Sequence, residues 1–516
     1  MNKLTRLVSI WNAWSDASGA REDASPISRP FDDFDESALE LVSDAVRRDS
    51  ARLRRAGRRA ARLGAQLLLA SLVGVLAGLA GSAFLYGMNL GTNFFLHSES
   101  SALTGGFRSM LLLPLAGVFI VWIYRRTKLS VDAGTNMVIE SLVSEKKPSL
   151  WLAPLIFVSS IVTQSFGGSA GREGAAIQLG GCVGLGTGRA LRLRDSGLRL
   201  AIYCGMAGGF AAVFGAPLTA AVFAVEVGCV GVVYYPAFLP ALTSATVAAG
   251  VASSFGFSPF FHALPAFPAT SAPLALRVLA LGLFCGAASV FFCSAIRRAS
   301  ASMAQHFPND YVRVVFGGLA VVAATALLGT TEYNGTGLTL IQEATEGRAD
   351  WYDFILKALF TAVTLGAGYK GGEIVPALAV GATFGCCVGG ALGLDPTLGA
   401  SLGMVSVFCG ATNCPLASLI LSVEFFGAEN ALLFALACTA SYMSSARMGL
   451  YRGQRVVFSK ATDAVCDARL RTRLKDDLAS IDASHETTEN IDALQFKNDG
   501  KNCRNLEETL FSDKLR

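Results

Sequence analysis

A chain of 516 residues that is 52% hydrophobic and only 16% charged, with 54 glycines and a mean hydropathy of +0.47, reads as a polytopic membrane protein and not as a string of soluble domains. The formal net charge of +4 gives no ground for nucleic-acid binding, because the basic residues cluster beside apolar runs, where they act as topology signals. The 12 cysteines scatter through apolar segments without metal-ligand spacing, so they read as small core residues, and no metal or cofactor is expected.

In chain order, residues 1–46 are polar and acidic, with Asp32, Asp33, Asp35 and Glu36 close together. They belong to an N-terminal tail, 1–62, with no apolar stretch of the kind a cleaved signal peptide carries. Arg47, Arg48, Arg52, Arg54, Arg55, Arg58, Arg59 and Arg62 then abut an apolar run over 65–95, which places the N-terminus in the cytoplasm. A lipid-recognition patch is the alternative reading of that cluster. The loop charges alternate as this orientation requires. Segment 96–109 lies outside, and Arg125, Arg126 and Lys128, after a helix over 110–124, lie inside. Lys146 and Lys147 are inside, as are Arg189, Arg192, Arg194 and Arg199. The uncharged stretch 253–272 is outside, Arg297 and Arg298 inside, and the acidic segment 331–350 outside. Residues 63–452 form the transmembrane domain, with halves at about 65–255 and 274–450, and 453–516 form a polar cytoplasmic tail.

The stretch that organises the rest is 166–181, where glycines and the adjacent charges Arg172 and Glu173 interrupt apolar segments. Ionisable groups at membrane depth are costly and mark pathways, and non-helical backbone there must face protein or water. A helix restarting near Gly174 and Ala175 would offer unpaired N–H groups to an anion, with which Glu173 would compete. The pattern recurs. Gly171 to Gly180 corresponds to Gly372 to Gly381, and the helix from Pro217 to Glu226 to that from Pro415 to Glu424, Pro-Leu and Val-Glu in register. Paired broken helices at matching places in two halves point to the binding site of a transporter.

Gly171-Arg172-Glu173-Gly174 resembles the Gly-Arg-Glu-Gly-Pro motif of the CLC family of anion channels and proton-coupled anion transporters, with Ala175 in place of proline. Gly368-Tyr369-Lys370-Gly371-Gly372-Glu373-Ile374-Val375-Pro376 occupies the place of the family's Gly-x-Phe-x-Pro motif. Asp132-Ala133-Gly134-Thr135-Asn136 occupies that of Gly-Ser-Gly-Ile-Pro. The resemblance covers roughly residues 65–450, and the first two motifs look most like the fluoride-type branch, which carries a glutamate at the position of Glu373. It implies an all-α fold of two inverted-topology repeats with broken helices, and a homodimer with one pore per subunit. A halide anion and a proton would be the transported partners. The tail at 453–516 is too short for the paired CBS domains of many eukaryotic members, and that with the absence of a targeting sequence points to a prokaryotic plasma membrane, both termini being cytoplasmic by the loop charges.

On that resemblance Glu173 is the gate, yielding the outer anion site when protonated, and Glu373 is a second proton-linked carboxylate. The anion would be held by the backbone of Gly174, Ala175, Glu373, Ile374 and Val375, with Thr135, Asn136 and Tyr442 at the same ion. Bland readings stand beside these: Glu173 permanently paired with Arg172, and Glu373 neutralised by Lys370. Chloride–proton exchangers of the family have a further glutamate where this chain has Val227, which favours the fluoride branch, and Glu226 and Glu424 read as structural. Val375, where that branch often has threonine, and Ala377-Leu378-Ala379 depart from its pattern. A chloride/proton exchanger or a voltage-gated-type chloride channel is therefore the alternative. An enzyme is not expected: the four histidines (His97, His262, His306, His485) fall in or beside loops or in the tail, away from any serine they could activate. A scaffold would not need two broken helices with matched carboxylates.

Overall fold

The computed structural model describes residues 36–96, 109–129, 134–144, 147–257, 271–446, 448–458 and 460. Residues 1–35 and 461–516, most of both expected tails, lie outside these, as do segments 97–108 and 258–270, Asp132, Ala133, His97, His262 and His485. The chain divides into two compact units, Met1–Ala65 and Gln66–Arg516, and everything below concerns the second except where stated.

The described chain is all-α. Helix α1, Glu36–Leu96, starts inside the segment read as a polar tail; residues 36–56 contain no proline or glycine and are rich in Ala, Leu, Glu and Arg, all strong helix formers. It is followed by α2 (Leu113–Arg126), α3 (Thr135–Val143), α4 (Leu152–Ser165), α5 (Glu173–Ala190), α6 (Asp195–Phe214), α7 (Pro217–Glu226) and α8 (Phe238–Ser254). The second half comprises α9 (Ala272–His306), α10 (Asp310–Leu328), α11 (Leu338–Thr345), α12 (Asp353–Ala367), α13 (Ile374–Ala391), α14 (Pro396–Thr412), α15 (Pro415–Phe426) and α16 (Ala431–Ser444). Helix α11 lies in the acidic segment read as an outer loop; Leu340, Ile341 and Ala344 recur at helical spacing and are buried. Two short strands, Cys229–Val230 and Arg455–Val456, pair in parallel. Among the described residues, six helices are long and apolar enough to cross a membrane, and five shorter apolar helices accompany them.

Helices α4 to α8 and α12 to α16 are two versions of one motif, down to the backbone. Both α6 and α14 end in a left-handed residue, Gly215 (φ 75°) and Asn413 (φ 59°), glycine and asparagine being the residues that tolerate this conformation. The next residues, Ala216 (φ −120°, ψ 83°) and Cys414 (φ −121°, ψ 74°), match as well, and a proline then opens α7 and α15, where its missing N–H costs nothing. The two halves clasp each other through the glutamates at the ends of these helices. Glu226 accepts from the amides of Leu416 (3.1 Å) and Ala417 (2.8 Å) at the start of α15, and Glu424 from those of Leu218 (2.9 Å) and Thr219 (2.8 Å) at the start of α7. Each carboxylate thus satisfies orphan donors and meets the positive end of a helix from the other half.

Within each half the helix after the break packs on the next one along a seam of glycines. A methyl group at Gly180 or Gly184 would strike the carbonyl of Gly205 or Ala201, and one at Gly385 that of Gly399. Lipid tails are as apolar as leucine, so such close backbone approach is what holds membrane helices together. We expect Gly180→Leu and Gly385→Leu each to destabilise the fold by roughly 3 kcal/mol or more, since no flexible side chain is there to yield. Thermal unfolding in detergent should show both as strongly destabilised beside the control Gly250→Leu, whose position meets nothing within 4 Å.

Candidate functional site

The two breaks meet. The amide of Gly171 donates to the Gly372 carbonyl and the amide of Gly372 to the Gly171 carbonyl, both at 2.7 Å, a single antiparallel bridge between the halves. One residue further on, Arg172 and Glu373 occupy equivalent positions at the starts of α5 and α13 with nearly the same backbone (φ −111°, ψ −22° and φ −96°, ψ −12°), and neither helix start receives a side-chain cap. Their first-turn amides therefore keep unused donors and the positive end of each helix.

A buried polar frame sets the position of the first break. Gln164 Nε2 donates to the Ala170 carbonyl (2.8 Å), Asn334 Nδ2 to that of Gly167 (2.8 Å), and the Ser169 amide to Thr364 Oγ1 (3.1 Å). Lys357, fully buried, donates to Ser169 Oγ (3.0 Å) and to the carbonyls of Tyr333 (3.1 Å) and Gly335 (3.0 Å), and Gly335 also accepts from the Ala170 amide. Sequence reading missed Lys357; its signal was a lone cation within the apolar run of α12.

The two carboxylates face different cavities. Glu173, 1% exposed, accepts from the Arg172 amide (3.1 Å, Oε2) and from Arg172 Nε (3.3 Å, Oε1), so the pairing considered from sequence is present. With Arg172, Phe214, Val375, Met404 and Phe425 it lines a cavity of about 180 Å³. Glu373 lines a second cavity, of about 390 Å³, with Thr135, Asn136, Gln178 and the cationic Arg297, Lys370 and Arg452. Its Oε2 is buried without a hydrogen-bond partner, and Lys370 Nζ lies 4.9 Å from the centre of the Tyr124 ring.

Gly174 sits between these groups. A Cβ there would lie 2.8 Å from Gly372 Cα, 3.3 Å from Glu373 Oε2 and 3.4 Å from Thr135 Oγ1. Thr135, Gly174, Gly372 and Glu373 are thus brought together, whereas Val375 lines the cavity of Glu173, and Ala175 and Ile374 are adjoining first-turn residues of α5 and α13. Asn136 lines the Glu373 cavity, its Oδ1 engaged by the Gly453 amide at 3.2 Å. Tyr442 is set apart. Lys460 Nζ lies over its ring at 4.4 Å and donates to its carbonyl at 3.2 Å. A second tyrosine, Tyr451 in the segment after α16, is buried with an unpartnered hydroxyl. That segment is held by the Leu450 amide on the Ala411 carbonyl (2.7 Å) and by Arg297 on the Gly449 carbonyl.

Fold and site together define a multi-pass membrane protein of two inverted halves, built around a pair of broken helices that meet between two cavities. The chain belongs to the voltage gated chloride channel family, the CLC proteins, whose model matches residues 116–446. It is 34% identical to the chloride/fluoride channel protein of Pseudomonas syringae pv. tomato over 402 residues, which are 76% of this chain and 87% of that one. It is 29% identical to the H(+)/Cl(-) exchange transporter ClcA of Vibrio vulnificus over 389 residues, 69% of this chain and 81% of the relative. The crystal structure of a CLC-type fluoride/proton antiporter superposes with a TM-score of 0.72 at 32% identity, covering 76% of this chain and 98% of that chain.

Because a side chain at residue 174 would drive into Gly372, Gly174→Ala should part the two loops. Anion flux should fall by about tenfold or more, the size of effect a displacement of under an ångström at a reacting centre can have. Flux from reconstituted vesicles checks this, with unchanged helical circular dichroism as the control for folding.

Proposed function

We propose that the protein exports fluoride in exchange for protons across the plasma membrane, as a homodimer with both termini in the cytoplasm. The observation that carries the reading is the mutual bridge of Gly171 and Gly372, which aims two uncapped helix starts at one place and leaves a carboxylate on each side of it. Amide and hydroxyl dipoles from Gly174, Ala175, Ile374, Val375 and Thr135 bind an anion without a full positive charge, so that it is held and still able to leave. Tyr451, with its unpartnered hydroxyl, is a better candidate than Tyr442 to add a hydroxyl.

Glu173 alternates between its present place and release of that place to an anion, a step open to it only when protonated. Glu373, an acceptor oxygen beside the path, repels an anion when ionised and donates to one when protonated. The protonation of Glu373 therefore depends on whether the site is occupied, which links proton to anion. The fluoride assignment is supported by the names of the Pseudomonas relative, a chloride/fluoride channel protein, and of the similar structure, a fluoride/proton antiporter. Exchange of chloride for protons, the activity named for the Vibrio relative, is the second reading.

Vesicles loaded with fluoride or chloride and followed with ion-selective electrodes separate the two, and a pH electrode reads the proton. Fluoride efflux much faster than chloride, with protons moving the opposite way, is expected. Glu173→Gln should abolish coupled exchange, and passive flux unaltered by it would mean that this glutamate does not gate. Glu373→Gln should lose proton-driven uptake, and retained uphill pumping would remove its role.

A further inference from the structure

We propose that Gln178 fixes the polarity of the Thr135 hydroxyl, so that its proton faces the transported anion; this makes Gln178 a positioning residue for anion affinity. The inference rests on the anion pathway proposed above. Gln178, 1% exposed, lies in the second turn of α5, and its Nε2 donates to Thr135 Oγ1 at 2.7 Å.

A hydroxyl has one proton and two lone pairs. With one lone pair occupied by an amide donor, the proton points elsewhere. A threonine inside a helix commonly spends it on a carbonyl of the turn before. Thr135 is the first residue of α3 and has no such turn.

What lies within its reach is the gap beside Gly174, bounded on the other side by Glu373 Oε2, which has no partner. An anion in that gap takes one hydrogen bond from Thr135 and, when Glu373 is protonated, a second from it. Two further features confine the anion there. Gln178 Oε1 is buried and unpartnered, an acceptor that repels an anion on its own side, and Asn136 Oδ1 is committed to the Gly453 amide. Turned the other way, the Gln178 amide would draw the Thr135 proton to itself and present lone pairs to the anion.

The test measures the KM for fluoride, or for chloride should that be moved faster, in vesicles at one pH. Wild type is compared with Gln178→Leu, Gln178→Glu, Thr135→Val and the double variant Gln178→Leu/Thr135→Val. Losing the Thr135 donor should raise KM about tenfold in Thr135→Val, the range for a hydrogen bond to a charged group, and releasing that hydroxyl from its fixed orientation should raise it severalfold in each Gln178 variant. In both Gln178 variants the maximal rate should stay within about twofold, and Gln178→Leu should add nothing once Thr135 is valine. A purely packing role for Gln178 would instead lower the maximal rate and the folded yield. An additive double variant, or Gln178→Glu with the wild-type KM, overturns this inference alone. A silent Thr135→Val overturns it together with the anion site at Thr135.

Discussion

The constraint on which the structure depends is that backbone at membrane depth cannot leave its amides and carbonyls unpaired. Two helices broken in mid-membrane would each violate it. Here each break supplies what the other lacks: Gly171 and Gly372 exchange both hydrogen bonds at 2.7 Å, and a side chain at 372 is excluded because its Cβ would lie 2.5 Å from the Gly174 amide nitrogen. The exchange satisfies the break yet leaves the first-turn amides of α5 and α13 unspent. The same bridge that stabilises the fold therefore leaves two sets of amide donors at one place, on which the anion site proposed above is built.

Around that bridge the costs of burial are met in pairs. Glu226 and Glu424 are carboxylates in apolar surroundings, which is unfavourable unless each is fully hydrogen-bonded. Each takes two amides from the opposite half, so a group that is costly in one repeat becomes the cap of the other. Lys357 follows the same rule with three oxygens, which tie the loop before Glu173 to the segment before α11. These interactions hold the loops in place from behind, so that the loop residues facing the gap need not be used for structure.

Much of this was legible from the residues. The repeat of Pro-Leu and Val-Glu, the glycine breaks and the two charged loops were visible because membrane burial makes charges and glycine clusters rare enough to stand out. What stayed hidden has physical reasons. Tyr451 and Gln178 carry hydroxyl and amide groups that any apolar segment tolerates, and nothing local distinguishes Tyr451 from Tyr442. Their difference arises because the chain after α16 turns back into the core, with Leu450 bound to Ala411. Helix α11 was missed because its amphipathic face is too short, eight residues, to show over a background of acidic loop.

The symmetry of the backbone makes its broken symmetry of charge informative. Arg172 and Glu373 occupy one structural position, as do Glu173 and Ile374, so the two halves present the same amides with opposite side chains. On one side a carboxylate is held by its neighbouring guanidinium; on the other a carboxylate oxygen has no partner in a cavity with Arg297, Lys370 and Arg452 around it. In the proposed cycle an anion crossing from one cavity to the other meets two unlike acids in sequence, the first an ion pair that opens and the second a group that holds a proton. Two acids in unlike surroundings change protonation at different steps of such a cycle, and this ordering is what couples an anion to a proton.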